Sequence, residues 1–260
     1  MRTNKVLERW RAGQVALGGW LAIPSAFSAE VMAYRGFDYV CLDMQHGVID
    51  YQVAVTMIQA IDASSVTPFV RVPGNDFSII NRMLDAGAMG IIVPLVNTPD
   101  DARRVVDACR YHPQGSRSIG PTRVSIGAGP GYAETANSQV ACIPMIETRE
   151  ALGNLEQILE VPGIDAVYIG PSDLSLSLNL PPGLDNGGAY EEARLRVAHL
   201  CNEHSIVAGV HAEASLTGKH ASAGFRMITV SVDYKALLGA ADADLQLARE
   251  QLDLVQLTER

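Results

Sequence analysis

Two acidic residues stand where apolar runs end. Glu147 closes Ala141-Cys-Ile-Pro-Met-Ile-Glu147, and Asp173 follows Ala166-Val-Tyr-Ile-Gly-Pro-Ser-Asp173. If these runs are neighbouring parallel strands, about 4.8 Å apart, the two carboxylates can share one ion of Mg²⁺ size, whose ligands lie within roughly 4 Å of each other. The same acids could instead cap the helices that follow, where negative charge meets the positive end of the helix dipole. Their company favours chemistry. Other apolar runs end in Cys41-Leu-Asp-Met-Gln-His-Gly47, in Phe69-Val-Arg-Val-Pro73 and in Gly209-Val-His-Ala-Glu213. Asp, His, Arg, Glu and Asp gathered on one rim would supply a base, a cation and a metal site together.

Each of these side chains also has an ordinary reading. His46 could be a loop histidine without a task, but its place directly after an apolar strand and before Gly47 points to function. Arg71 could pair with a surface acid. Inside an apolar run, however, an arginine is costly unless it binds an anion or oxyanion. Asp43 reads as a residue that hydrogen-bonds loop amides. His211 and Glu213 could join the rim or support it from behind. Asp85, in Met83-Leu-Asp-Ala-Gly-Ala88, falls at a helix C-terminus, where an acid opposes the dipole and calls for a specific partner such as a rim histidine. The only lysines are Lys5, Lys219 and Lys235. None closes an apolar strand run, so an imine-forming amine inside a barrel is not expected, and carbonyl polarisation falls to a metal.

To place those residues side by side, the chain needs strands that all run the same way. Short apolar runs alternate with helix-period segments along the whole length, the pattern of parallel βαβ units. Eight strands are expected: Ala16 to Ile23, Tyr39 to Met44, Thr67 to Val72, Gly90 to Pro94, Ala141 to Glu147, Ala166 to Gly170, Ile206 to His211 and Met227 to Val232. The fold expected is α/β, a closed (β/α)₈ TIM barrel, whose catalytic groups sit at the strands' C-terminal ends. An open doubly wound sheet is the alternative. Thr98-Pro-Asp-Asp101 starts one helix with an N-cap and a proline in the first turn, and Thr148 to Ala151 opens another. Two long connections, Tyr111 to Gln139 and Leu174 to Gly188, are expected on the catalytic side.

With 260 residues and 48% hydrophobic content, residues 1–260 are expected to form a single barrel domain. A net charge of -9 argues against nucleic acid as a partner, leaving small-molecule substrates. The four cysteines, Cys41, Cys109, Cys142 and Cys201, form no CxxC pair and read as buried thiols of a reducing compartment. The polar N-terminal segment has no apolar leader behind it and no run reaches membrane-spanning length, so a soluble cytoplasmic protein is expected.

Asp43-Met-Gln-His46, Val70-Arg71, Leu84-Asp-Ala-Gly-Ala88, Ile146-Glu147 and Ile169-Gly-Pro-Ser-Asp-Leu-Ser175 resemble, in order, the motifs of the HpcH/HpaI family of metal-dependent pyruvate aldolases. The last is the most specific, and the resemblance spans nearly the whole chain. It implies a phosphoenolpyruvate/pyruvate-type barrel that cleaves 4-hydroxy-2-oxo acids to pyruvate or hydroxypyruvate and an aldehyde, using Mg²⁺, Mn²⁺ or Co²⁺. Carried over by position, Glu147 and Asp173 would hold the metal, His46 paired with Asp85 would move the proton, and Arg71 would donate to the keto or enolate oxygen. The Ser172 amide would hold the pyruvate carboxylate, with Gly170, Pro171, Val210, Met145 and Asp43 also beside the substrate. Gln45 and Met145 depart from the family pattern, which has glutamate in many members at the first position and glutamine at the second. A homo-oligomer, commonly a hexamer, is likewise implied. Two rivals stand beside the aldolase: a lyase acting on acyl-CoA, which would want a basic face, and a barrel that binds a 2-oxo acid without turnover.

Overall fold

The computed structural model describes residues 3–129 and 131–258. Eight parallel strands close into a barrel in sequence order: β1 (Ala16–Leu21), β2 (Tyr39–Asp43), β3 (Thr67–Arg71), β4 (Gly90–Val93), β5 (Ala141–Ile146), β6 (Ala166–Ile169), β7 (Val207–His211) and β8 (Met227–Val232). Every expected strand is present, β8 with the bounds expected and the others trimmed by a residue or two. At β1 the trimming has a visible cause. The N–H groups of Ala22 and Ile23 leave the ladder and donate to the Asp233 carboxylate, both at 3.0 Å.

The two-residue period of a strand divides its side chains between two environments. Along β2, Val40 and Leu42 pack under the helices, whereas Tyr39 and Cys41 fill the barrel interior. Asp43 continues the interior set. The same alternation places Arg71 above Phe69 on β3, Glu147 above Ile143 and Met145 after β5, and His211 above Gly209 on β7. Buried aromatic and sulfur-bearing side chains thus fill the barrel below a polar upper layer. At the lower end the helix Lys5–Arg11 buries Val6, Leu7 and Trp10, and Trp10 meets Phe69 edge-on.

The long connections do not share one side. Tyr111 to Gln139 follows the helix Pro99–Cys109 and precedes β5, so it lies at the strands' N-terminal end, away from the rim. It also contains two helices, Thr122–Ala128 and Tyr132–Gln139. Only Leu174 to Gly188 leaves a strand's C-terminal end, opening with the helix Pro171–Ser177. The cap expected at Thr98 is present as a reciprocal capping box with Asp101. All four cysteines are buried free thiols. Among the described residues, no helix is long and apolar enough to cross a membrane.

Candidate active site

A cavity of about 320 Å³ opens at the C-terminal ends of the strands. Asp43, His46, Arg71, Met145, Gly170, Pro171, Ser172 and Asp173 line it, so most of the residues singled out in the sequence meet there.

Asp43 organises one side. Its Oδ1 accepts from Arg71 Nε at 3.0 Å and from the backbone N–H groups of Gln45 and His46 at 3.0 and 3.2 Å. Its Oδ2 accepts from Arg71 Nη2 at 2.6 Å and Trp20 Nε1 at 3.1 Å. Burial pushes this carboxyl up, but the Arg71 hydrogen bonds and charge outweigh it and hold the group below the usual carboxylate range. With both oxygens engaged, Asp43 has the structural role its position suggested and no free edge for a substrate. It fixes the Arg71 fork and the turn that carries His46. Arg71 Nη1 makes no hydrogen bond among the described residues. Gly47 completes the turn, since a Cβ there would stand 2.2 Å from the Asp43 carbonyl oxygen.

Glu147 does not line the cavity itself but lies against Gly170 of its wall, 2% exposed. Its Oε1 accepts from the Leu95 N–H at 2.8 Å. Burial is the main force raising its carboxyl above the ordinary value, and the negative charge of Asp173 adds to it; the Leu95 N–H and Arg71 only partly oppose them. Glu147 Oε2 fills the space a Cβ at Gly170 would need, 2.5 Å away, so the glycine of the Ile-Gly-Pro-Ser-Asp motif is what lets the buried carboxylate come forward. Pro171 starts the next helix, which projects Asp173 from its first turn. A buried carboxylate beside a second one is electrostatically unfavourable unless protonated or joined by a cation. Among the described residues no cluster of three or more His, Cys, Asp and Glu could enclose a metal. The pair would therefore hold an ion with most of its coordination open.

His46 is exposed at the cavity edge. The expected pairing with Asp85 is not made within this chain. Asp85 lies in the last turn of the helix Phe77–Ala86, just before β4 begins, at the end of the barrel opposite His46. Its partner there is Arg117, whose Nη2 donates to Oδ1 at 2.8 Å while its guanidinium lies over the Tyr111 ring. The misplaced acid did need a partner, but a basic one from the following connection supplies it. Val210 also departs from expectation: strand alternation turns its side chain into the helix-facing core, and the neighbouring His211 lines the cavity in its place.

The cavity lining also includes Trp20, Tyr168 and Lys235, which were not singled out as site residues. Trp20 stacks on Tyr168 with centroids 5.8 Å apart and lies 5.0 Å beneath the Arg71 guanidinium carbon. Extending the two-residue period to the last inward position of each strand would have found the two aromatics. Lys235, which closes no strand run, sits in the first turn of the C-terminal helix Asp233–Thr258. Asp233, tied to Ala22, Ile23 and the Tyr234 N–H, fixes that turn against the rim.

Comparison with known proteins agrees with the barrel fold. The family model described as HpcH/HpaI aldolase/citrate lyase matches residues 17–240. A hydroxypyruvate/pyruvate aldolase of Rhizorhabdus wittichii is 41% identical over 255 residues, covering 96% of this chain and 97% of that one. A 4-hydroxy-2-oxo-heptane-1,7-dioate aldolase of Shigella flexneri is 35% identical over 239 residues, 90% of this chain and 88% of that one. Among solved structures, an HpcH/HpaI aldolase/citrate lyase family protein from Burkholderia cenocepacia superposes with a TM-score of 0.89 at 33% identity, covering 95% of this chain and all of the other.

Proposed function

The chain belongs to the HpcH/HpaI aldolase/citrate lyase family and is an aldolase, a carbon–carbon lyase; from that premise we propose that it cleaves and forms 4-hydroxy-2-oxo acids, with pyruvate or hydroxypyruvate as one product and an aldehyde as the other. The observation that carries this reading is the placement of a buried Glu147 against Gly170 of the cavity wall, beside Asp173 and Arg71, which both line the cavity. The names of the two relatives support the same substrate class.

Glu147 and Asp173 fit a divalent cation of the Mg²⁺, Mn²⁺ or Co²⁺ kind, because both offer hard oxygen donors and their mutual repulsion is relieved by a positive charge. Bound there, such an ion supplies Lewis acidity toward the keto oxygen of a 2-oxo acid. The protein's own groups do the rest. Arg71, clamped by Asp43, presents Nη1 to the oxygen that gains charge as the C3–C4 bond breaks. His46 takes the proton of the 4-hydroxyl in cleavage and returns it in addition. The backbone N–H of Ser172, in the first turn of the helix Pro171–Ser177, has no partner within that helix and suits a carboxylate. Gly170, Pro171 and Met145 shape the wall beside it.

The four buried thiols suit a reducing cytoplasm. Leucines 237, 238, 245, 247, 252 and 254, exposed along the C-terminal helix, suit a homo-oligomer. The deciding experiment is steady-state release of pyruvate from a panel of 4-hydroxy-2-oxo acids with each cation in turn. Cleavage without coenzyme A supports the aldolase. Cleavage confined to CoA esters, or tight binding without turnover, would replace it.

A further inference from the structure

The cavity wall formed by β7 and β8 takes no part in the roles assigned above. His211 ends β7 with its ring on the cavity, and its Nδ1 lies 3.3 Å from the Tyr168 hydroxyl. Tyr168 donates its own hydrogen to Thr229 Oγ1 at 2.6 Å, and Thr229 Oγ1 lies 2.9 Å from the Tyr39 hydroxyl. Because the Tyr168 hydrogen is committed, its oxygen accepts, and Nδ1 of His211 must carry the hydrogen between them. The chain of hydroxyls ends inside the barrel. Burial pushes the Tyr39 and Tyr168 phenols far above their ordinary range, so both stay protonated near neutral pH. Burial, helped by the charges of Arg71 and Lys235 and weakly opposed by Asp43, also lowers the His211 pKa to about 4. The ring is a neutral imidazole with its tautomer fixed.

Its orientation is fixed as well. Trp20 meets the His211 ring edge-on at 5.1 Å and 86°, and Trp20 is itself held by Asp43. Nε2 is thereby left as a lone-pair acceptor. It has no hydrogen-bond partner among the described residues and is not sealed away from the cavity. Lys235 lines the same wall and forms no ion pair among the described residues, so a donor stands near the acceptor. A group that donates to Nε2 and accepts from an ammonium is a hydroxyl. A carboxylate would face the lone pair, and a methyl would leave Nε2 desolvated and unpaired.

We propose that His211 is a specificity residue, accepting a hydrogen bond through Nε2 from a substrate hydroxyl on the carbon next to the carbonyl. The proposal rests on the aldolase reading and deepens it. The hydroxyl can come from the 2-oxo acid or from the aldehyde, and two isosteric pairs separate these sources. Hydroxypyruvate against 2-oxobutanoate, with propanal as acceptor, tests the donor. Glycolaldehyde against propanal, with pyruvate as donor, tests the acceptor.

The readout is the ratio of kcat/KM, hydroxyl over methyl, in the metal-loaded enzyme. Comparing that ratio between variant and wild type cancels the intrinsic reactivity of the carbonyls. His211→Phe keeps an aromatic ring and should lower the ratio in one pair by about tenfold, the value of one hydrogen bond to an otherwise unpaired buried acceptor. His211→Gln, whose side-chain oxygen can accept, should restore part of it. If His211→Phe does not fold, His211→Leu takes its place. A ratio unchanged within twofold in both pairs overturns the proposal, as does an equal loss for both members of each pair. Absence of turnover with every pair in the wild type would instead withdraw the aldolase reading.

Discussion

Arg71 spends two of its nitrogens on Asp43 and keeps one edge of its fork open. A lysine could satisfy the charge but not both tasks, because a point charge cannot clamp a carboxylate and aim a second donor at once. Arg71→Lys is expected to fold with an unchanged far-ultraviolet spectrum and lose about 10²- to 10³-fold in kcat, the usual loss for one preorganised donor to a developing oxyanion. Full kcat in that variant would reduce Arg71 to a structural cation. His46→Ala should lose about 10²- to 10⁴-fold in turnover, as for an acid/base group, while cation affinity by calorimetry stays near wild type. Glu147→Gln and Asp173→Asn should weaken both together, since each removes one of only two anionic ligands. For Glu147 the raised pKa adds a sign: cation affinity should fall as pH drops toward that pKa, because protonation removes the ligand. Affinity flat with pH, or intact in either carboxamide variant, would move the ion elsewhere. These side chains were legible because each combines an unlikely residue type with a strand end. Within one chain Asp85 meets Arg117 rather than His46, because Arg117 lies in a connection whose path no periodicity reveals.

At the scale of elements, strand positions were readable to within a residue or two because apolar content, length and flanking glycines agree there. The side on which a long connection lies follows a different rule. What precedes it decides, a helix sending it to the strands' N-terminal end and a strand to the rim, and Tyr111 to Gln139 follows a helix. A second effect hidden from the sequence is the burial of His220 in the helix Thr217–Ser222. It is fully buried against Phe225, and neither ring nitrogen has a hydrogen-bond partner among the described residues. Burial, with the charges of Arg194 and Lys219 outweighing Asp185 and Glu191, lowers its pKa to about 4. Below its ordinary value near 6.5 the unfolded chain takes up a proton that the folded chain refuses, so stability declines as pH falls from 6.5 toward 4. The loss from this group between pH 7 and pH 5 is about 2 kcal/mol. His220→Phe should therefore flatten the fall of Tm over that interval. Some slope should remain, because His211 is shifted in the same direction. An identical slope in the variant would mean that His220 does not stay neutral in the fold.

For the whole molecule, the barrel is self-consistent and the C-terminal helix is the exception. It runs for 26 residues and keeps Leu238, Leu245 and Leu252 exposed at seven-residue spacing, close to two helical turns, so that they form a stripe. Its last described leucine side chain, Leu254, is exposed too. Every described side chain of this helix from Tyr234 to Leu254 is exposed, which would leave a large apolar surface open in a monomer, whereas a second copy can cover it. In the sequence these leucines look like an ordinary core-facing stripe, because periodicity tells which residues share a face but not which molecule covers it. The homo-oligomer proposed above then depends on this helix. Light scattering should give wild-type protein a mass of several chains. Leu245→Glu combined with Leu252→Glu should shift it to a smaller species, while circular dichroism still reports a folded α/β protein. The substitutions lie beyond the helix turn that lines the cavity, so loss of assembly with the fold retained would separate the two roles of this helix: its first turn bounding the site, and its remainder joining chains. A wild-type mass of one chain, or a double variant with unchanged mass, would remove the leucine stripe as the assembly surface.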